Sequence, residues 1–244
     1  MLTLSKGRYR ARATQGARDL DRAQRLRGLA FFGRDGIDHD DFDDRCQHVV
    51  IEETATGTLV GCFRLLPLPD GPAVASSYSA QFYDLSGLAR LKGPMAEIGR
   101  FCLHPDRTDP DILRVAWGAL TAHVDANGVG MLFGCSSFPG TDATPYEDAF
   151  ALLRDRHLAP ASWHPGVKAA EIYPYATTLP QQDPDPRRAN ATMPPLLRTY
   201  LMMGGRVSDH AVVDREMNTL HVFTGLEIAA IPPGRAARLR DMVE

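Results

Sequence analysis

Two opposite charges stand inside an otherwise apolar run, Met95 to Leu103, that has the character of a central strand. Strand alternation puts Glu97, Gly99 and Phe101 on one face and Arg100 on the other. A charged side chain in a buried strand is costly unless it is paired, so Glu97 and Arg100 need partners or a chemical role. Two interpretations stay open. One is a structural ion pair, and the other is a Glu97 carboxylate, its pKa raised by burial, that accepts a proton from an attacking amine directly or through water.

An acidic segment precedes the second predicted strand. Its five aspartates are Asp38, Asp40, Asp41, Asp43 and Asp44. A solvated connector is the commoner explanation for such a charge run. Phe42 can anchor the segment, however, and Asp40 and Asp43 are then three residues apart and able to converge. Carboxylates held in this way would bind a cationic amino-acid head group or position a basic side chain.

Three basic residues are candidates to act with these carboxylates. Arg64 is suited to bind the carboxylate of an acceptor, because a guanidinium makes two parallel hydrogen bonds to such a group. Its alternative role is an ion pair with Asp40 and Asp43, and both roles are compatible. Arg27, on the helix that faces the acidic segment, has the same two interpretations. His48 lies at the entrance of a strand, where a structural role is favoured over a catalytic one.

Alternating strands and helices must position these residues. The periodicity predicts strands at Tyr9 to Thr14, His48 to Glu53, Thr58 to Leu66, Met95 to Leu103, Met131 to Phe138, Ala211 to Val213 and Leu220 to Thr224, and helices at Asp19 to Phe32, Asp109 to Ala126, Pro145 to His157, Leu196 to Met203 and Gly234 to Glu244. The proline-rich stretch Leu179 to Met193 is interpreted as a polar connector. This order predicts an α/β fold with a mixed central β-sheet flanked by helices. We expect a single domain over residues 1–244, with a core of about 7–178 and a C-terminal extension of about 190–244.

Composition and charge exclude several classes of protein. The 244 residues are 44% hydrophobic and 23% charged, and the net charge of -3 argues against a general nucleic-acid binder. The four cysteines, Cys46, Cys62, Cys102 and Cys135, form no CxxC pair or Cys/His cluster, so no metal site is expected. Met1 to Arg12 lacks the apolar core of a signal peptide, and no apolar run approaches the roughly 20 residues of a membrane span. We therefore expect a cytoplasmic protein, with peripheral contact to the inner face of the cytoplasmic membrane left open.

Several phrases of the sequence are similar to known families. The set Arg27-x-x-x-Phe31, Asp40-x-Phe42-Asp43, Gly61-x-x-Arg64-Leu65 and Glu97-x-x-Arg100-Phe101 resembles the acyl-homoserine-lactone synthases, which have a GNAT-like fold. Longer phrases resemble the bacterial ornithine-lipid N-acyltransferases. These are Asp41-Phe-Asp-Asp-Arg-Cys-Gln-His48-Val, Glu97-Ile-Gly-Arg100-Phe-Cys102, Phe133-Gly-Cys-Ser-Ser-Phe-Pro-Gly-Thr-Asp142 and Pro194-Pro-Leu-Leu-Arg-Thr-Tyr200-Leu-Met-Met-Gly204. The resemblance runs from about Gly7 to about Thr224.

The resemblance implies a reaction and a set of site residues. A 3-hydroxyacyl chain would pass from acyl carrier protein to the α-amino group of an amino acid, without a cofactor. The product would be a lyso-aminolipid that a partner O-acyltransferase completes. Ornithine is the best-known acceptor and glutamine the nearest alternative; Leu29 to Gly33 departs from the family's aromatic phrase and leaves this choice open. The implied catalytic residues are Glu97, Arg100 and His48, and the implied substrate-binding residues are Arg27, Phe31, Asp40, Asp43, Arg64 and Phe101, although Phe101 also has the character of a core residue.

The segment after the central strand bears on the acyl donor. CoA-dependent GNAT enzymes have a glycine-rich turn there, whose N–H groups bind a pyrophosphate at a helix N-terminus. Here His104 to Asp111 contains no glycine and three acids, which favours a phosphopantetheine arm with one phosphate, met by Arg107 or Thr108. The other expected contacts to the acyl-pantetheine arm are Cys102, Cys135 and Ser136. Gly134 to Ser137 lacks the G-x-S-x-G spacing of a nucleophile elbow, so packing and backbone contacts are favoured over a role for Cys135 as acyl acceptor.

Two other functions stay open from the sequence. The first is an acyl-homoserine-lactone-type signal synthase that uses S-adenosylmethionine. The second is a protein of GNAT-like fold that has no catalytic activity and binds acyl carrier protein or lipid.

Overall fold

The computed structural model describes residues 3–241. The strands are β1 (Thr3–Lys6), β2 (Tyr9–Ala13), β3 (Gln47–Glu53), β4 (Leu59–Leu68), β5 (Tyr83–Asp84), β6 (Met95–Leu103), β7 (Met131–Pro139), β8 (Gly166–Val167), β9 (Ile172–Tyr173), β10 (Arg206–Val207), β11 (Ala211–Asp214) and β12 (Thr219–Glu227). The helices are α1 (Ala17–Phe32), α2 (Pro110–Asn127), α3 (Glu147–Arg156), α4 (Tyr175–Thr178), α5 (Pro186–Thr192), α6 (Pro195–Met202) and α7 (Pro233–Arg240). Short 3-10 turns connect several of them.

The described chain divides into two compact units. The first comprises residues 3–67, 96–129 and 232–241, and the second comprises residues 68–95 and 130–231. The single-domain boundaries expected from the sequence stay a prediction.

The first unit is a sheet with the strand order β1-β2-β3-β4-β6 and a helix on one face. The pairs β1–β2, β2–β3 and β3–β4 are antiparallel. Helix α1 packs its Ala23 and Leu26 against the buried Val50, Cys62 and Cys102 of the sheet. This contact places the polar residues of α1 beside the strands that carry the candidate site.

A glycine sets how closely α1 approaches the acidic segment. A Cβ atom built at Gly28 would lie 2.3 Å from the carbonyl oxygen of Gly36. Gly33, with a φ of 64°, ends the helix in the left-handed conformation that glycine adopts readily. The chain therefore turns back at Gly33 and returns along its own helix, which brings the following aspartates to the sheet.

The second unit is built on a long antiparallel pair. Strands β7 and β12 pair over nine positions, from Thr219 opposite Pro139 to Glu227 opposite Met131. Strand β11 and then β9 follow on the other side of β12, β10 also pairs with β12, and β5 pairs with β8. One face of the sheet carries an apolar core under α3 and α4 that includes Phe138, Phe150 and Tyr175.

Most of the predicted long elements are confirmed, and the central strand has the predicted bounds. The prediction of a connector over Leu179 to Met193 is wrong, because this stretch contains α5. Asp185 caps this helix through hydrogen bonds from the N–H groups of Arg187 and Arg188. Pro186 in the first turn is compatible with a helix, because the first N–H groups need no intrahelical partner. Among residues 3–241, no helix is both long and apolar enough to cross a membrane.

Candidate active site

A closed circuit of ion pairs forms the centre of the candidate site in the first unit. Three arginines from α1, β4 and β6 alternate with three aspartates of the acidic segment. In order around the circuit they are Arg27, Asp38, Arg100, Asp40, Arg64 and Asp43, which pairs again with Arg27. We call these six residues the Arg–Asp ring. Each aspartate joins two arginines. The three positive and three negative charges balance one another.

The contacts in the ring are short hydrogen-bonded ion pairs. Arg27 donates from Nε to Asp38 at 2.5 Å and from Nη1 to Asp43 at 2.8 Å. Arg64 binds Asp40 in a bidentate manner, at 2.5 and 2.8 Å, and also donates to Asp43 at 2.5 Å. Arg100 reaches Asp38 and Asp40, each at 3.0 Å. The side chain of Asp43 is 0% exposed and that of Arg27 is 2% exposed, so the ring is largely shielded from water.

The electrostatics keep Asp40 and Asp43 ionised. Burial acts to raise the pKa of Asp43, but hydrogen bonds and charge from Arg27, with a further hydrogen bond from Gln24, hold that pKa far below its usual range. Burial opposes ionisation of Asp40 as well, yet Arg64 and then Arg100 lower its pKa. Because both acids are charged and paired with arginines, they are engaged as ligands of the protein's own cations. The alternative in which they position basic side chains is the arrangement present.

Backbone geometry at Arg100 corrects one prediction from the sequence. Gly99 faces Arg64, since a Cβ atom there would lie 3.3 Å from Arg64 Nε. Phe101 instead stacks on Phe63, the neighbour of Arg64 on the opposite face of β4, with ring centroids 5.6 Å apart. The prediction that Gly99 and Phe101 share a face is therefore wrong. The reason is that Arg100 has a φ of 50°, a left-handed conformation that breaks the alternation within β6.

Glu97 and His48 are both buried near the ring. Glu97 is 3% exposed and His48 is 7% exposed. His48 Nε2 lies 2.9 Å from the carbonyl oxygen of Asp43, and burial lowers the pKa of His48, so it acts as a neutral donor that secures the acidic segment. Burial raises the pKa of the neighbouring Cys46 thiol to about 11; Arg64 opposes this rise, and the negative charge of Glu97 adds to it. Glu97 is thus close enough to Cys46, the residue that precedes β3, to affect its pKa.

Three further predicted residues take part in packing. Phe31 is half-buried and packs against the cluster between α1 and the sheet. Phe101 is stacked on Phe63. Cys102 is buried, and its Sγ lies 3.5 Å from Sγ of Cys62. The roles of Phe31 and Phe101 in substrate binding and of Cys102 in acyl-pantetheine binding stay predictions.

The loop that was predicted to meet the donor phosphate is exposed. Arg107 and Thr108 are both exposed, immediately before α2. The N-terminus of α2 is capped by Asp109, whose side chain accepts a hydrogen bond from the N–H of Asp111 at 2.9 Å. A carboxylate at this position repels an incoming diphosphate. Arg107 lies in an exposed turn, where its guanidinium is accessible to a phosphate group.

Cys135 and Ser136 lie on β7 in the second unit, on opposite faces of its sheet. Cys135 is half-buried, with its Sγ 3.4 Å from the Oγ of Ser79. Ser136 is buried and accepts a hydrogen bond from Thr224 at 2.9 Å. Of the two, Cys135 has the exposure that contact with an acyl-pantetheine arm requires.

Two residues important to the ring were not selected as site residues from the sequence. In the sequence Asp38 is one of a run of acids, and residue type alone does not distinguish Gln24. Gln24 Nε2 donates to Asp43 Oδ2 at 2.9 Å. The available signal was helical spacing, because Gln24 and Arg27 are three residues apart and share a face of α1. Within residues 3–241, no group of three or more His, Cys, Asp or Glu side chains is placed to hold a metal ion.

Comparison with known proteins places the chain among acyltransferases. The family model described as the acetyltransferase (GNAT) domain matches residues 26–118. An L-ornithine Nα-acyltransferase of Rhodobacter capsulatus is 31% identical over 239 residues, which cover 91% of each chain. A protein of the same name from Agrobacterium fabrum is 29% identical over 92% of this chain and 83% of its own.

A solved structure supports the fold. FeeM, an N-acyl amino acid synthase from uncultured soil microbes, matches with a TM-score of 0.52 and 10% sequence identity, covering 92% of this chain and 94% of its own. The predicted GNAT-like α/β fold class is thereby confirmed.

Proposed function

Since this chain belongs to the family of L-ornithine Nα-acyltransferases, we propose that it transfers a 3-hydroxyacyl chain from acyl carrier protein to the α-amino group of ornithine. The product is a lyso-aminolipid, which an O-acyltransferase would complete. The observation that carries this proposal is the similarity to the Rhodobacter protein over nine-tenths of both chains. Glutamine is the alternative acceptor.

The reaction needs a base and an acceptor site more than it needs a protein nucleophile. The neutral amine attacks the thioester carbonyl, a C–N bond forms, and the C–S bond breaks to release the pantetheine thiol. We assign the proton lost from the amine to Glu97, a buried carboxylate of β6, because burial favours the protonated form that a general base takes up. The proton then returns to the departing sulfur.

Arg27 is our choice for binding the acceptor's carboxylate. Its Nη2 atom is buried and has no hydrogen-bond acceptor among residues 3–241, although Nε and Nη1 are engaged in the Arg–Asp ring. A buried cationic donor without an acceptor is unfavourable, and a ligand carboxylate would satisfy it. The aspartates of the ring support this arrangement by fixing the arginines rather than by binding the acceptor's side-chain cation.

A carrier-protein donor is favoured by the loop that precedes α2. The carboxylate of Asp109 caps the N-terminus of α2, and it would disfavour a diphosphate bound at that helix N-terminus. The exposed Arg107 and Thr108 offer contacts for one phosphate. We therefore propose 3-hydroxyacyl-acyl carrier protein as the donor, with no additional cofactor.

The direct test incubates the protein with 3-hydroxyacyl carrier protein and a pool of amino acids, with products identified by mass spectrometry. Acylated ornithine is the expected product. Acylated glutamine would correct the acceptor, and turnover with acyl-CoA but not with acyl carrier protein would exclude the proposed donor. A homoserine lactone formed from S-adenosylmethionine, or carrier-protein binding without any product, would replace the proposal with one of the two other functions.

Glu97→Gln tests the assignment of the base. We expect kcat to fall by about 10²-fold or more, since general-base catalysis contributes at least this much, while the thermal unfolding midpoint stays close to that of the parent. Glu147→Gln, the same change at an exposed position of α3, serves as the control and should leave kcat unchanged. Parental activity in Glu97→Gln would assign Glu97 a structural role.

A further inference from the structure

Two buried histidines in the second unit each have a ring nitrogen without a hydrogen-bond partner within the described chain. His221 of β12 is 2% exposed, and His210, just before β11, is 1% exposed. Their rings lie against Tyr83, with centroids 5.6 and 5.3 Å from that of Tyr83. The Nε2 atoms of both histidines are buried and have no hydrogen-bond partner in residues 3–241.

The partners of the other ring nitrogens determine which tautomer each histidine adopts. Tyr83 donates its single hydroxyl proton to the carbonyl oxygen of His221 at 2.7 Å. His221 Nδ1, 3.1 Å from the same hydroxyl, must then donate to it. In the same way His210 Nδ1 donates to Asp209 Oδ1 at 2.6 Å. Burial lowers the pKa of His221, so its imidazole is neutral with the proton on Nδ1, and its Nε2 offers a lone pair that needs a donor.

The position of His221 distinguishes it from His210. Residues opposite each other in the β7–β12 ladder share a face of the sheet, so Ser137 lies beside His221 and Cys135 beside Phe223. Along this face of β7, Phe133 is buried, Cys135 is half-buried and Ser137 is exposed. The face thus opens to solvent next to His221.

The same face is aromatic around His221. Phe133 stacks on Phe223 with centroids 5.7 Å apart, and Trp163 packs against Phe223 at 6.3 Å. Phe82 meets the His221 ring edge-on at 5.0 Å. Sites for apolar ligands are lined mostly by hydrophobic and aromatic side chains, with a few polar groups that fix the ligand's orientation.

We infer that His221 Nε2 accepts a hydrogen bond from the 3-hydroxyl group of the donor's acyl chain and so selects hydroxylated over plain acyl donors. The inference rests on the proposed function for the identity of the donor, and it adds a specificity residue to it. A hydroxyl supplies the donor that Nε2 lacks, whereas a plain methylene leaves the buried acceptor unsatisfied. A site built to bond a hydroxyl discriminates against analogues that lack it for this reason.

The test compares kcat/KM for 3-hydroxyacyl carrier protein and for its 3-deoxy analogue of equal chain length. In His221→Asn, the amide nitrogen can replace Nδ1 as donor to Tyr83, but no atom replaces Nε2. We expect the parent's preference for the hydroxylated donor to fall by about tenfold in this variant. His221→Gln, whose amide reaches the position of Nε2, should keep part of the preference. His123→Asn, at a buried histidine of α2, is the control and should keep all of it.

A second measurement decides the inference without turnover. In the full-length parent, ¹⁵N resonances report whether Nε2 of His221 gains a hydrogen bond. We expect the Nε2 resonance to shift when 3-hydroxyacyl-pantetheine is added and to stay in place with the 3-deoxy compound. If the parent transfers no acyl chain, the proposed function fails while this measurement still tests His221.

Several outcomes would overturn the inference. One is a parental preference in a folded His221→Asn variant, and another is an equal loss of activity with both donors, which is the signature of a structural residue. A third is an Nε2 resonance that responds to neither pantetheine compound, as expected if only a bound water serves this acceptor. If His221→Asn does not fold, the His221→Gln variant and the resonance of the parent decide.

Discussion

At the scale of single residues, the role of the aspartates in the acidic segment is decided by the arginines that they contact. Their number and spacing suit a cationic substrate, and the same spacing suits arginines of the protein. The Arg–Asp ring shows that Asp40 and Asp43 bind arginines, while the exposed Asp41 and Asp44 remain on the surface. The sequence could not decide between these possibilities, because Arg100 lies 60 residues beyond Asp40 and only the fold brings them together.

The Arg–Asp ring predicts a large stability difference between neighbouring aspartates. Asp43→Asn should lower the free energy of unfolding by about 3–5 kcal/mol, since it leaves Arg27 and Arg64 buried with a charge uncompensated. Asp41→Asn, at an exposed position, should change it by about 0.5 kcal/mol or less. Urea unfolding at neutral pH measures both. Similar values for the two variants would show that the ring contributes little to stability.

At the scale of elements, periodicity located the long strands and helices, and it failed where length or backbone geometry decided. Central strand β6 has the predicted bounds because its apolar run is continuous. The predicted faces of the residues after Gly99 were wrong, because the sequence pattern does not indicate the left-handed backbone conformation of Arg100. Strand β1 has four residues, and with a single buried side chain it shows no alternation to recognise. Helix α5 was missed because Pro180 and Pro184 before it and Pro186 in its first turn resemble the prolines of a connector.

The backbone of β6 predicts an unusual order of stability for two substitutions. Arg100→Gly and Arg100→Ala both remove the ion pairs, but only glycine adopts a φ of 50° without steric cost. Arg100→Gly should therefore be the more stable of the two by about 1 kcal/mol, as measured by urea unfolding. At Arg10, in the regular strand β2, the alanine variant should be the more stable one. If alanine is favoured at both sites, the left-handed conformation costs nothing.

At the scale of the whole molecule, the resemblance to ornithine-lipid N-acyltransferases expected from the sequence is confirmed by the full-length relatives. The GNAT-like fold is confirmed too. The phrases that carried the resemblance fall in both compact units. The first holds the Arg–Asp ring, and the second holds the aromatic face with Cys135 and His221. Fold class was accessible because it depends on patterns along the chain, whereas the pairing of charges depends on distances across it.

Stability of the whole protein should fall in mildly acidic solution because of His221. Burial lowers its pKa from 6.5 to about 4; Asp214 opposes this shift and His210 adds to it. The unfolded chain then binds a proton that the folded chain excludes, so this contribution is complete above pH 6.5 and is lost as the pH falls toward 4. Urea unfolding across this range should show a loss on the order of 2 kcal/mol that His221→Asn reduces. An unchanged pH slope in the variant would assign the loss to other groups.

The Arg–Asp ring has a consequence for the order of events in folding. Its pairs join residues as far apart as Asp38 and Arg100, which are separated by 62 positions, and Arg64 and Asp40, separated by 24. Such a circuit closes only after α1, the acidic segment, β4 and β6 have assembled, because closing long loops costs chain entropy first. Contacts that form after the transition state slow unfolding without speeding folding. The ring would then contribute mainly to kinetic stability: it would slow unfolding of the native state more than it speeds folding.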